Sequence, residues 1–197
     1  HEMNFPPFTL PKKALSVSVV TNAHREVSPY SFNQTAYNFL GGHWQATLDL
    51  NDARYQDRAN ILAWLTTLEG PTVVFHLPAM DYRGPHGVLT QNPTFAAAAS
   101  QRGKTLVVQH APGEAFVVTD QITINGHLHM INSVQAPDVS NQQQITIWPR
   151  LREDVAQGGA IEALAPYGAW ALAKPSNGHS TNFKLGRSMK LDLIEAL

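Results

Sequence analysis

The stretch of residues 41–71 constrains the fold most, because a strand pattern there is followed directly by a long helical pattern. Its first part alternates apolar with polar side chains, the period of two that buries one edge of a β-strand. The apolar members are Trp44, Ala46, Leu48 and Leu50. The sequence therefore predicts a half-buried strand that leads into a helix.

The helical pattern has a start signal and a stop signal. Asn51 or Asp52 can cap the helix, and Gly70-Pro71 ends it. Between them we expect about 18 helical residues, roughly 27 Å in length. Their apolar side chains fall near one face: Tyr55, Ile61, Leu62, Leu65 and Leu68. No other segment has so long a helical pattern, so we expect a mainly β protein with one long helix, an α+β fold.

Strand patterns occupy most of the remaining chain. Alternation around residues 15–19 predicts a first strand, and Ser28-Pro29 predicts a turn after it. Residues 35–40 read as a strand joined to the Trp44 strand by a hairpin at Gly41-Gly42. Beyond a glycine-rich loop at residues 84–87, short strand patterns recur at the spacing of a small barrel or sandwich: 105–109, 115–119, 121–125, 127–134 and 144–148.

The change to short strand patterns at close, regular spacing predicts two lobes. Both ends of the chain, residues 3–82 and 150–197, are expected to form the first lobe. Residues 83–149 are expected to form a second lobe inserted into it. The last strand pattern, near residues 188–193, would then return to the first lobe.

Composition excludes several classes of function. The net charge is −1 and charged residues make up 15% of the chain, so there is no broad basic field for holding nucleic acid. The absence of cysteine excludes disulfides and thiolate chemistry. No apolar run approaches the roughly 20 residues needed to span a bilayer, which predicts no membrane insertion.

The sequence contains no recognisable catalytic or cofactor-binding motif, which predicts a protein that is not an enzyme and has no cofactor. The best candidates for metal ligands are His127 and His129. They are two residues apart on a predicted strand, so their side chains lie on the same side of it. A third ligand would have to be His110, His76 or Asp120. Histidines that hydrogen-bond to backbone explain the pattern better, so no metal site is predicted, and a metal hydrolase remains a rival hypothesis.

Aromatic residues offer a second kind of candidate site. Trp148 and Tyr82 could stack against a sugar, since aromatic faces bury apolar area at little entropic cost. A carbohydrate-binding module that contacts host surface glycans is therefore the alternative function. Packing in a hydrophobic core explains most of the chain's aromatics better.

The order of these signals resembles one known family, the distal tail proteins of long, non-contractile tailed bacteriophages. The resemblance covers nearly the whole chain and depends on order and spacing, with no catalytic motif involved. It is carried by residues 41–44 (Gly-Gly-His-Trp), 65–70, the strand around Phe75, and residues 84–87, 101–108 and 145–152.

The resemblance implies a β-sandwich lobe with a helix, built from both chain ends, and an inserted OB-like barrel. It further implies a homohexamer ring that joins the tail tube protein to the tail tip or baseplate hub proteins. DNA would pass through the channel of this ring without being read, and the protein would reside in the virion after assembly in the host cytoplasm. Exposed strand edges of the first lobe could pair between neighbours. We expect the interface in the N-terminal arm, residues 35–50 and the last strand.

Overall fold

The computed structural model describes residues 5–7, 15–50, 55–79, 84–175, 179–182 and 186–197. The part of the chain that the structure describes is mostly β, with 47% in strands and 8% in helices. Its elements, in chain order, are β1 (Leu15–Val27), β2 (Gln34–Asp49), α1 (Tyr55–Thr67), a 3-10 turn (Gly70–Thr72), β3 (Phe75–Pro78), β4 (Thr94–Phe95), β5 (Thr105–Gln109), β6 (Gln121–Ile124), β7 (His127–Val134), β8 (Gln142–Trp148), β9 (Tyr167–Leu172), β10 (His179–Asn182) and β11 (Gly186–Glu195).

The predicted α+β fold with one long helix is wrong. Helix α1 has 13 residues, and it is the one α-helix in the part of the chain described here. It ends at Thr67, after which the Leu68 amide donates to the Leu65 carbonyl at 3.3 Å, a tighter 3-10 bond. The hydroxyls of Thr66 and Thr67 donate to carbonyls three residues back. Glu69 and Gly70 then take left-handed conformations, with φ of 46° and 73°. The predicted cap at Asn51 or Asp52 lies outside the described residues.

The first sheet combines both ends of the chain. Its antiparallel strands run in the order β1-β2-β11-β9-β3, with β10 also paired to β11. Helix α1 covers one face of this sheet through Ile61, Trp64 and Leu68, all buried. Trp64 meets Phe75 of β3 edge to face, with ring centroids 5.0 Å apart. The described part of this lobe is thus a single sheet with a helix rather than a sandwich of two sheets.

The second sheet contains five antiparallel strands in the order β4-β5-β8-β7-β6. Its two outer strands are connected through residues 160–162, since Ala160 bridges to Thr94 and Glu162 bridges to Thr123. The interior is a separate apolar cluster, formed by Phe95, Leu106, Val108, Phe116, Ile122, Ile124, Ile131, Ile145, Ile147, Leu151, Val155, Ile161 and Ala163. Two antiparallel sheets, each with its own core, replace the sandwich and OB-like barrel implied by the resemblance.

The two sheets meet along β7 and β9. The Thr123 hydroxyl donates to the Tyr167 carbonyl and accepts from the Tyr167 amide. The Ala169 amide donates to the Gly126 carbonyl at 2.9 Å, and Leu128 is buried in the first core. The predicted domain boundaries stay a prediction. The residues at which the strands change from one sheet to the other differ from those at which the buried side chains change from one core to the other.

The hairpin predicted at Gly41-Gly42 is wrong, because β2 runs through both glycines without turning. The chain reverses earlier, at residues 28–33, and β1 and β2 form one long hairpin. The two glycines fit a continuous strand because a side chain at Gly42 would lie 3.1 Å from the Trp148 ring. Gly42 therefore allows the second sheet to pack closely against β2, whereas a side chain at Gly41 would meet Asn22 of β1.

Candidate assembly interface and the joint between the sheets

The long hairpin extends beyond the first sheet. Strand β11 pairs with β2 only between Gln45 and Asp49, whereas β1 accompanies β2 as far as the pair Val27 and Gln34. We call residues 21–42 the hairpin arm. Its described side chains are exposed, except for half-buried Ser28 and the half-buried Gly42. A lone two-stranded hairpin is marginally stable in water, so this arm is suited to being covered by another surface.

One face of the arm is aromatic. Tyr37 pairs with His24 across the two strands, and Phe39 follows Tyr37 at the period of two. Tyr37 is 47% exposed and Phe39 is 62% exposed. The opposite face carries Arg25, whose guanidinium donates to the Gln34 side-chain oxygen at 3.1 Å. The two faces therefore present different chemistry to a partner.

The tip of the arm holds two further aromatic side chains in solvent. Tyr30 is 95% exposed and Phe32 is 78% exposed. The loop is ordered by hydrogen bonds from the Ser28 amide to the Asn33 carbonyl and from the Phe32 amide to the Ser28 carbonyl, both 2.9 Å. Phe32 has a φ of 55°, which is uncommon for a bulky residue. Exposed aromatics on an ordered turn are typical anchors of protein interfaces.

The outer strands of the first sheet are β1 and β3. The predicted contribution of the last strand to an interface stays a prediction. Strand β11 has neighbours on both sides only at Leu193 and Ile194, where β2 and β9 pair with it, and its first residues pair with β10 alone. Most of the N-terminal arm lies outside the described residues. Phe5 packs on its own chain, with its ring centroid 5.9 Å from those of His76 and Tyr167.

A buried ion pair fixes the base of the hairpin arm. The Arg152 guanidinium donates through Nε and Nη2 to the Glu195 carboxylate, at 3.0 and 2.7 Å. The same Nη2 donates to the Gly42 carbonyl at 2.7 Å, and the Trp44 amide donates to Glu195 at 2.9 Å. The pair connects β2, β11 and the segment that leaves the second sheet.

The candidate metal ligands His127 and His129 lie beside this ion pair. His129 is fully buried, and its Nδ1 lies 2.8 Å from the Pro149 carbonyl oxygen. Burial lowers the pKa of His129 to about 3, so it is neutral. His127 Nδ1 is 3.7 Å from a Glu195 oxygen, and burial also lowers the pKa of His127. The contact of His129 with the Pro149 carbonyl is the kind of backbone hydrogen bond that the sequence favoured over a metal site.

The proposed third ligands are engaged elsewhere, with one exception. Asp120 accepts hydrogen bonds from the amides of His86, Gly87 and Val117. His110 packs against the Phe116 ring in the second core, with centroids 4.9 Å apart. His76 is the exception. Burial is the main cause that lowers the pKa of His76, and the nearby His127 lowers it further. Among the residues described, no group of three or more potential ligands is arranged to hold a metal ion.

Of the two candidate sugar-stacking residues, Trp148 is half-buried in the joint. Its ring meets Trp44 edge to face, with centroids 4.5 Å apart, and it packs on the first core. Tyr82 lies outside the described residues. Sequence reasoning missed the arm tip, although two aromatics within a turn predicted at Ser28-Pro29 are a usable signal. It also missed the Arg152–Glu195 pair, because nothing local connects residues so far apart.

No protein-family model matches this chain, and no curated protein is significantly similar to it in sequence. In the described part of the structure, no helix is long and apolar enough to cross a membrane.

Proposed function

We propose that this protein is a structural component of a phage tail, a ring at the distal end that joins the tail tube to the tip. The observation that carries the proposal is the hairpin arm, which exposes Tyr30, Phe32, Tyr37 and Phe39 beyond the sheet that anchors it. An element of this kind binds a neighbour and has no evident role in a monomer. The family resemblance of the sequence indicates that the neighbour is a second copy.

The ring is a homohexamer in this proposal. A heterologous contact, in which the arm of one copy covers a different surface on the next, closes into a ring when the rotation divides the circle. The first sheet presents β1 at one edge and β3 at the other, which allows neighbours to meet at unlike edges. Tube and tip proteins bind above and below, and DNA passes through the channel.

Immunogold electron microscopy tests this function directly. Antibody raised against the chain is applied to tailed virus particles from the source of the gene, and we expect gold only at the distal end of the tail tube. Antibody pre-incubated with the purified chain as competitor provides the control and should leave the particles unlabelled. Absence of the protein from intact particles, from disrupted tails and from particle fractions would refute the proposal.

The carbohydrate-binding alternative receives no support from Trp148, because its ring packs between the two sheets. Glycan binding that is lost in a Trp148→Ala variant, yet kept in Trp148→Phe, would restore it.

A further inference from the structure

Two clefts flank the base of the hairpin arm. Their volumes are about 410 and 240 Å³, and Gly41 and Arg150 belong to the walls of both. We call the pair of clefts the basic cleft. It lies at the joint between the sheets and is separate from the arm's tip.

Positive charge is concentrated there, although the whole chain has a net charge of −1. Four of the chain's 14 lysines and arginines line the basic cleft: Arg102, Lys104, Arg150 and Arg152. Arg152 is neutralised by Glu195. Glu153 is the acidic residue in the described wall, and its carboxylate accepts a hydrogen bond from the Asn125 side chain at 3.3 Å. Positive charge therefore remains in excess.

Three of these cations have no ionic partner in the part of the chain that the structure describes. Within the described residues, no carboxylate lies within 4.0 Å of the charged groups of Arg102, Lys104 or Arg150. The Arg150 guanidinium is held in place, because its Nη1 donates to the Arg102 carbonyl at 3.0 Å. This bond uses one of its five N–H donors. Arg150 shares the larger cleft with Arg102 and the smaller one with Lys104. A positioned guanidinium beside a further cation is suited to an anion with several oxygens.

The wall also includes an apolar ring. Phe39 is 62% exposed and lines the larger part of the cleft, next to Gly41, which has no side chain to fill the space. An aromatic face packs well against the C–H groups of a sugar ring. The cleft thus combines groups for a phosphate with a surface for the sugar that carries it.

We propose that the basic cleft binds a phosphorylated sugar. Arg102 and Arg150, which line the larger cleft together with Phe39, contact the phosphate, and the Phe39 ring packs on the sugar. Lys104, which shares the smaller cleft with Arg150, adds positive charge nearby. The site shares Phe39 with the aromatic face of the hairpin arm but not the residues of the arm tip. Ring formation needs no ligand in the cleft, so a failure to bind would leave the proposed function unaffected.

Isothermal titration calorimetry of the full chain at low ionic strength tests the proposal, with glucose 1-phosphate, inorganic phosphate and glucose as probes. We expect glucose 1-phosphate to bind most tightly, inorganic phosphate more weakly, and glucose not at all. Arg102→Gln should weaken glucose 1-phosphate binding by about fivefold, since it removes a charge-assisted contact. Lys104→Gln should weaken it by about twofold, since it removes a positive charge from the neighbouring cleft. Lys190→Gln removes an exposed charge that already pairs with Asp49, and should leave binding unchanged.

The aromatic contact has its own test. Phe39→Ala should weaken glucose 1-phosphate by about threefold and leave inorganic phosphate unaffected, because only the sugar meets the ring. Equal binding of glucose and glucose 1-phosphate, or unchanged affinity in the double variant of Arg102 and Lys104, would overturn the proposal. Absence of binding to the folded wild-type chain, checked by circular dichroism, would overturn it too. Equal binding of inorganic phosphate and glucose 1-phosphate would overturn the sugar assignment.

Discussion

Trp44 of the first sheet and Trp148 of the second meet edge to face, with ring centroids 4.5 Å apart. The Trp44 indole nitrogen also donates to the Leu128 carbonyl at 2.8 Å. Trp44 therefore contacts the second sheet through both its ring and its N–H group. The joint is a packed interface, and its energetics can be measured by substitution.

Trp148→Ala should destabilise the protein by about 2 kcal/mol, less than a fully buried tryptophan because its ring is half-exposed. The lost free energy comes from the edge-to-face contact and from packing on the first core. Urea unfolding followed by circular dichroism measures this change. Trp148→Phe retains most of the contact and should cost about half as much. Equal stability of wild type and Trp148→Ala would show that the joint contributes nothing.

Glu195→Gln should destabilise the protein by about 3 kcal/mol, because it leaves the Arg152 guanidinium without its counter-charge in a largely buried position. The double variant with Arg152→Met should be less destabilised than the sum of the two single variants. The exposed pair Lys174 and Asp192 offers a matched control, where Asp192→Asn should cost less than about 1 kcal/mol. Strictly additive losses in urea unfolding would contradict the predicted coupling.

Stability should fall as the solution is acidified below neutral pH, because His129 is buried in its neutral form. Its pKa is about 3 in the folded chain, against an ordinary value of 6.5. Between these values the unfolded chain binds a proton that the folded chain does not, so the free energy of unfolding rises with pH. The stabilisation is complete above the ordinary value and is lost as pH falls toward the folded one.

A His129→Asn variant isolates this contribution. The asparagine amide can keep a donor toward the Pro149 carbonyl, while the titrating group is removed. Between pH 4.5 and 6.5, the window above most carboxylate titrations, we expect the slope of unfolding free energy against pH to drop by roughly 1 kcal/mol per unit. Burial also lowers the pKa of His76, His110 and His127, so part of the slope should remain. An unchanged slope in the variant would contradict the assignment to His129.

Alternation of apolar and polar residues predicted the strands of the second sheet well. Residues 105–109 and 127–134 were expected as strands, and β5 and β7 have those bounds. The expected strand at residues 115–119 is instead a loop with a single bridge at Ala115. Its backbone amides are engaged by side chains, since Phe116 donates to Gln143 and Val117 donates to Asp120. The first of these bonds spans 27 residues and the second is a local side-chain bond, and neither leaves a periodic signal in the sequence.

The candidate site was less predictable than the strands. The predicted helix is longer than the observed one. The helical pattern alone does not reveal how Thr66 and Thr67 bond to the backbone at its end. The hairpin arm was missed because paired glycines usually indicate a turn, whereas Gly42 serves close packing against Trp148. The ion pair of Arg152 and Glu195 depends on the meeting of two distant segments. Tertiary contacts of this kind decide where charge and aromatic surface are placed.

Self-association should depend on the aromatic tip of the hairpin arm. A Tyr30→Ser, Phe32→Asn double variant removes both exposed rings, and asparagine tolerates the left-handed conformation at position 32. If the tip anchors a neighbouring copy, assembly should require at least about tenfold higher protein concentration, as for interface residues worth more than 1 kcal/mol. Thermal stability should be unchanged, because neither ring packs on its own chain to any extent.

Light scattering coupled to size-exclusion chromatography measures this effect across a concentration series. The wild-type chain should approach six times 21.6 kDa at high concentration, while the double variant remains at lower mass. Val139→Ser is the matched control, since it removes a fully exposed apolar side chain in a loop of the second sheet. If the double variant and the control assemble equally well, the arm tip does not anchor a neighbouring copy, and the aromatic face at Tyr37 and Phe39 becomes the remaining surface of the arm able to do so.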